Sequence, residues 1–478
     1  MAGLLRTWRA VLGERWSSEG GYRELLGIAL PLVISTSTWQ IQHFVDRMFL
    51  SWYSVDALAA AMPAGMLNFS VMCLFLGVAG YTSVFVAQYF GAKRHARIGP
   101  AMWQGVYVAL AGGAVMAAFA PAAVWIFDVI GHAPEVRRYE VEYFRILAMG
   151  SGPALVASAV SGLFSGLGRP WPVTWSNIVA TAMNLVLDAI LIFGCLGAPR
   201  MGVKGAAIAT VISGAVSLLA YLPWMARPLF RRRYRVFSGW RFDRELFARL
   251  LRYGLPGGAQ FFIDMASFTT FMLLVGTLGP APLAASNIAL NINGLAFMPM
   301  IGLGIAVSTL VGQYLGANRE AMAERSVYSA FHLSTFYMCL AGVLFVALPG
   351  ILIWPYEAGS DPAAFAEVRR LTIILLRFVA FYCLFDSLNI VFSSALRGAG
   401  DTRFVMVMLM VVAVVGLVAP SFAVLHVFHG GLAAMWSVAT AYVVILGFSF
   451  LSRFRQGKWK GMRVIEAGPP DVEEAVGE

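Results

Sequence analysis

The sequence predicts an all-α polytopic membrane protein: twelve transmembrane helices in two parallel six-helix repeats around a central cleft. Three observations carry that prediction: the composition, a series of long apolar runs, and an internal duplication. Of 478 residues, 59% are hydrophobic and only 13% charged, with a mean hydropathy of +0.74. Soluble domains hold about 25% charged residues, so a soluble globular fold is excluded. Disorder, which needs low hydrophobicity, is excluded as well.

Apolar runs of 18 residues or more recur at about 24–50, 57–85, 102–127, 143–166, 173–195, 203–226, 253–278, 283–310, 328–355, 370–396, 403–428 and 430–452. Each is long enough to cross a hydrocarbon core of about 30 Å, which takes roughly 20 helical residues. The runs lack the alternation of barrel strands, and a helix satisfies its own backbone in lipid. The expected organisation is a cytoplasmic segment 1–23, an amino-terminal lobe 24–226, a basic linker 227–252, a carboxy-terminal lobe 253–452 and a cytoplasmic tail 453–478. Leu4, Trp8, Val11 and Leu12 share a helix face suited to the inner membrane surface. The first twenty residues hold no separate apolar run with a small-residue cleavage site, so no cleaved signal is expected. The acidic stretch after Arg463 reads as disordered.

The net charge of +10 raises a nucleic-acid reading, which the placement of the charges argues against. With Met1 in the cytoplasm, 26 of the 35 Lys and Arg fall on inward segments. The outward loops hold Arg137, Arg138, Arg200, Lys204, Arg369 and Arg370, while Arg47, Arg145 and Arg377 lie in or beside spans. This is the positive-inside asymmetry, and it sets both termini in the cytoplasm. Cys73, Cys195, Cys339 and Cys383 show no paired spacing and read as packing residues.

Shifting the chain by 225 residues aligns Leu58–Arg94 with Leu283–Arg319 without a gap, and 13 of the 37 positions are identical. The matches include Asn68 with Asn293, and Gln88, Tyr89, Gly91 and Arg94 with Gln313, Tyr314, Gly316 and Arg319. The same shift sets Leu30-Pro31 on Leu255-Pro256. Because six spans make each repeat, both halves enter the membrane from the same side. Such parallel repeats place a substrate site between the halves, which rock about it. Pro31, Pro256 and Pro299 lie inside spans, where a proline acts either as a hinge or as a static kink. Pro31 and Pro256 are the hinge candidates.

Four acids lie inside the runs: Asp46, Asp188, Asp264 and Asp386. A carboxylate at the bilayer centre costs about 2.5–3.5 kcal/mol on insertion scales, so each needs a partner, water or a proton. Asp46 falls near the outer end of span one. Asn184 shares a helix face with Asp188 on span five, and Thr210 on span six sits at a comparable depth. Two carboxylates, an amide and a hydroxyl are thus expected together in the outer part of the first half. Such hard oxygen donors suit a proton or transient Na⁺. Asp264 and Asp386 form a second acidic layer near the midplane. Asn287, Asn291 and Asn293 either line a substrate cavity with Asn68 or serve as interhelical hydrogen-bonding groups. Clustered acids that a cation and a cationic substrate visit in turn imply antiport.

These residues resemble the multidrug and toxic compound extrusion (MATE) family, in its NorM-like branch. Leu30-Pro31 followed by Phe44-Val45-Asp46 resembles the first-helix motif, and Asn184 to Asp188 with Thr210 resembles the amino-lobe cation site. Val86-Ala-Gln-Tyr-Phe-Gly91-Ala and its twin Val311-Gly-Gln-Tyr-Leu-Gly316-Ala resemble the repeated loop entry. Asp264, together with Asp386 ahead of Ala395-Leu-Arg-Gly-Ala-Gly-Asp401-Thr, resembles the carboxy-lobe acidic pair. Two positions depart from the pattern: Arg47 stands where Thr is usual, and Asp264 where Glu is usual. The resemblance implies an inner-membrane antiporter that exports bulky, cationic or amphipathic small molecules in exchange for Na⁺ or H⁺ by alternating access. It calls for no cofactor. The expected partners are a small-molecule substrate and the lipid bilayer, with no nucleic acid, and the chain is expected to be a monomer.

A flippase for a lipid-linked saccharide is the alternative within the same superfamily; the acidic intramembrane charge disfavours an anionic pyrophosphate. An intramembrane enzyme would need a nucleophile, a metal cluster or an acid–base pair. His43 and His332 lie in spans but join no HExxH motif or Cys/His cluster, and no Gly-rich phosphate loop is present.

Overall fold

A computed structural model describes residues 15–357 and 362–469. The expected face of Leu4, Trp8, Val11 and Leu12 lies outside the described residues. Among those described there are helices and connecting turns and no strand. The spans are α1 (Tyr22–Tyr53), α2 (Asp56–Gly91), α3 (His95–Ile130), α4 (Pro134–Met149 and Ser151–Gly166), α5 (Trp171–Phe193), α6 (Val203–Met225), α7 (Arg244–Gly276), α8 (Pro280–Gly316), α9 (Glu320–Ala347), α10 (Phe365–Ala399), α11 (Thr402–His426) and α12 (Leu432–Arg455). Eleven are long and apolar enough to cross a membrane as single helices, and the two arms of α4, bent by 45°, make the twelfth. The bend has a local cause: Pro153 has no N–H to give the Met149 carbonyl, and Gly150 lies between the arms.

The duplication is visible in the backbone. The turns that follow α2 and α8 pass through the twin residues Lys93 and Asn318, both left-handed with φ of 56°. The chain resolves into two compact units, with boundaries that fall inside α1, α7 and α8 and in the turns after α8 and α12.

One unit comprises Ile34–Phe262, Gly312–Asn318 and the described residues from Arg463. Leu50, Ala57, Ala64, Met116, Phe127 and Phe144 belong to its core. Without a hydrophobic drive between helices in lipid, small residues permit the close crossings. A Cβ on Gly77 of α2 would stand 2.4 Å from the Gly258 Cα of α7. The chain after Arg463 corrects the expectation of disorder as far as residue 469. The Val464 N–H donates to Gln88 Oε1 at 2.8 Å, and the Glu466 carboxylate takes Tyr89 Oη at 2.7 Å and Arg94 Nη2 at 2.6 Å. Arg97 and Arg249 reach the same carboxylate. Although its partial burial works the other way, the Tyr89 hydroxyl and the arginines hold the Glu466 carboxyl down at about 2. Composition had suggested a free tail; four donors on one acid fix it.

The other unit comprises the described residues up to Val33, Ile263–Val311 and Arg319–Met462. α9, α10 and α12 pack around Phe392, Phe450 and Phe454, and Phe454 stacks on Trp459 at 4.7 Å. Trp436 Nε1 donates to Ser286 Oγ at 3.0 Å, and Arg453 pairs with Asp401 at 2.7 Å. A Cβ on Gly302 of α8 would meet Val33 N of α1 at 2.7 Å. Gly302 is the repeat twin of Gly77, and Val33 of Gly258. In both units, therefore, the opening segment of one repeat packs on the second helix of the other.

Candidate cation site

α1 and α5 bring Asp46, Asn184 and Asp188 together, all buried. Asp188 follows Asn184 by one helical turn, so both face α1. With the Asn184 amide oriented by its neighbours, its nitrogen donates to Asp46 Oδ1 at 2.9 Å and to Asp188 Oδ2 at 3.3 Å. The two carboxyl groups, both held by the one amide, lie close enough to be electrostatically coupled. Asp188 Oδ1 is buried with no hydrogen-bond partner among the described residues. An orphaned carboxylate oxygen in a buried site is one that a proton or a small cation satisfies.

Thr210 lies on α6, which packs against α5. Its hydroxyl donates back to the Ala206 carbonyl at 3.0 Å, so its lone pairs alone remain for a cation. Arg47 is exposed, forms no ion pair with Asp46 among the described residues, and acts on it only through space. Tyr143 of α4, which the sequence reading missed, lies within electrostatic range of both acids. No spacing signal links it to them.

In the second half, Asp264 of α7 and Asp386 of α10 interact electrostatically. Tyr442 of α12 donates to Asp264 Oδ1 at 3.3 Å, a partner 178 residues away that the sequence reading also missed. Arg397 acts on Asp264 through space. Asp386 is buried, and no described group hydrogen-bonds to it.

The asparagines divide. Asn291 Nδ2 donates to the Asn287 carbonyl on its own helix at 2.9 Å, and both side chains are exposed. Asn293 Oδ1 accepts from Cys383 Sγ of α10 at 3.6 Å, an interhelical contact. Asn68 is buried, with its Nδ2 unpartnered among the described residues. Pro31 and Pro256 lie within unbroken helices; the unit boundary in α1 falls two residues after Pro31, and that in α7 six after Pro256. The exposed His332 holds its Nδ1 3.1 Å from Tyr22 Oη and 3.3 Å from Arg15 Nη1. Among the described residues no group of three or more His, Cys, Asp or Glu could hold a metal.

A family model described as MatE matches residues 31–190 and 256–422, two segments that begin at the twin prolines. The chain belongs to the MATE family. The probable multidrug resistance protein NorM of Bradyrhizobium diazoefficiens is 31% identical over 445 residues, covering 90% of this chain and 93% of that one. The multidrug resistance protein PmpM of Pseudomonas aeruginosa is 30% identical over 81% of this chain and 80% of that one. An outward-facing multidrug resistance MATE family transporter of the MOP superfamily superposes with a TM-score of 0.85 at 19% identity, over 94% of this chain and 98% of that one. That last likeness is one of fold. As a MATE protein, the chain is a multi-pass membrane transporter and not an enzyme.

Proposed function

We propose that this MATE protein exports bulky, cationic or amphipathic small molecules from the cytoplasm in exchange for H⁺, by alternating access in the inner membrane. The observation that supports this most is the pair Asp46–Asp188, with one amide bridging the acids and one carboxylate oxygen left over. Two buried carboxyl groups coupled at close range and bridged by one amide cannot both carry charge cheaply, so the pair is suited to take up and release a proton. An exporter driven by an ion gradient needs such a site, filled on one side of the membrane and emptied on the other. The names of the relatives, multidrug resistance proteins, point to the same class of cargo.

Asp264 and Asp386 are the acids best suited to a cationic substrate, with Asn287 and Asn291 of the same unit as polar groups for its periphery; Asn68 remains a separate cavity candidate. Pro31 and Pro256 remain hinge proposals. The positive-inside asymmetry supports cytoplasmic termini, and a monomer suffices because both repeats lie in one chain. Na⁺ is the second reading: Asp46, Asp188 and the Thr210 lone pairs supply oxygen donors, Asn184 joins them once its amide turns to present Oδ1, and water completes the shell.

Dye efflux from inverted vesicles, with a pH gradient and a Na⁺ gradient imposed separately, tests the reading. Efflux should follow the pH gradient and be lost in Asp46→Asn and Asp188→Asn. Efflux that follows Na⁺ alone selects the second reading, and efflux unchanged in Asp46→Asn overturns the site.

A further inference from the structure

One further buried acid, Glu140, stands apart from the two acidic pairs. Sequence reading begins span four at residue 143 and leaves Glu140 in a loop or at a span end. In the structure α4 begins at Pro134, so Glu140 lies about two turns inside the helix. It is buried on the same face as Tyr143 and Phe144, the i+3 and i+4 positions. Its side chain is 0% exposed, while that of its partner His132, in the turn between α3 and α4, is 42% exposed. His132 Nδ1 lies 2.8 Å from Glu140 Oε1. Glu140 Oε2 is buried with no hydrogen-bond partner among the described residues.

The neighbouring charges do not neutralise it. Arg137 pairs with Asp128 at 2.6 Å, and Glu142 with Lys204 at 3.2 Å and Arg138 at 3.6 Å. The other titratable side chains on the first arm of α4, and at this end of the α2, α3 and α6 segments packed against it, are Glu135, Tyr139, Tyr143, Arg145 and Asp56. None forms an ion pair with Glu140 among the described residues. A wholly buried carboxyl group with one neutralisable partner and one orphaned oxygen is a site for a proton.

We propose that Glu140 and His132 form a separate proton site, through which protons pass between the water at this end of α4 and the Asp46–Asp188 pair. Tyr143 stands one turn further along the same buried face, within electrostatic range of both aspartates. The exposed ring takes a proton from water on Nε2 and releases the one on Nδ1 to Glu140 Oε1, so that the imidazole ends neutral and the carboxylate protonated. The inference rests on the proposed H⁺ antiport and its orientation, which put the α3–α4 turn on the outer face.

The test is pH-gradient-driven dye efflux in vesicles, with imidazole added to the outer-face compartment. His132→Ala should slow efflux several-fold without changing dye binding, and imidazole should restore the rate. A histidine that only holds the turn in place would not respond to imidazole. Glu140→Gln should lose pH-driven efflux and show no rescue; should it fail to accumulate in the membrane, the exposed His132 still decides. His132→Ala at the wild-type rate, or slowed and unrescued, overturns the proton site while leaving H⁺ antiport standing. Wild-type efflux that follows Na⁺ and ignores the pH gradient overturns the site together with H⁺ coupling. Absence of gradient-driven efflux in the wild type rejects the antiport reading itself.

Discussion

The Asn184 amide nitrogen lies 2.9 Å from Asp46 Oδ1 and reaches Asp188 with its other hydrogen. One neutral side chain thereby sets the spacing of two acids that would otherwise repel. Asn184→Ala removes both donors. A hydrogen bond to a charged group is worth about 1.5–3 kcal/mol, so the affinity for the coupling ion should fall by roughly tenfold to a hundredfold. The check is the ion concentration for half-maximal efflux, with the maximal rate measured alongside. An unchanged half-maximal concentration would reject the bridging role.

Tyr442 gives Asp264 its one described hydrogen bond, at 3.3 Å. Tyr442→Phe removes a donor worth about 1 kcal/mol. If Asp264 meets the cationic cargo, the Michaelis constant for a cationic dye should shift several-fold while the coupling-ion dependence stays put. Measuring both in one preparation separates the second acidic pair from the first.

Glu466 ties the tail to Tyr89, Arg94, Arg97 and Arg249. Its carboxyl is held at about 2, below the ordinary glutamate value. The stabilisation is therefore fully present above that ordinary value and is lost only as the pH falls toward 2. Protease protection of the tail should be the same at pH 5 and pH 7. Glu466→Gln should expose the tail at both, with a loss on the order of 2 kcal/mol in thermal unfolding.

The crossings at Gly77 and Gly302 leave no room for a methyl group: a Cβ would stand 2.4 Å from Gly258 Cα in one and 2.7 Å from Val33 N in the other. Each Gly→Ala change should lower the unfolding temperature in detergent, since overpacking against backbone costs about 1–3 kcal/mol. Gly27, with nothing within 4 Å of its Cβ position, is the matched control on α1 and should tolerate alanine.

Much of this architecture was legible because lipid makes simple demands. Long apolar runs must be helices, and the repeat between Leu58–Arg94 and Leu283–Arg319 survives in the shared left-handed turns at Lys93 and Asn318. Asn184 and Asp188 were readable as a pair because i and i+4 share a face, and Asp46 because an acid in an apolar run is rare. Tyr143 and Tyr442 were not, because an aromatic in a span looks the same whether it packs or donates. Glu140 escaped because charged neighbours at Arg137, Arg138 and Glu142 make its segment look like a loop; only its place on the buried face marks it out. The anchored tail escaped for a related reason, since its partners are scattered over α2, α3 and α7.

The exchange of opening segments between the repeats bears on how the chain can be cut. A gene split within 227–252 would yield two fragments, each beginning or ending without the surface its neighbour supplies: Val33 without Gly302, Gly77 without Gly258. Neither piece is then a self-sufficient building block, and co-synthesis of both is what should rescue either from degradation. An ancestral single-repeat protein would have met the same need by pairing with a second copy of itself, lending its first helix and borrowing another.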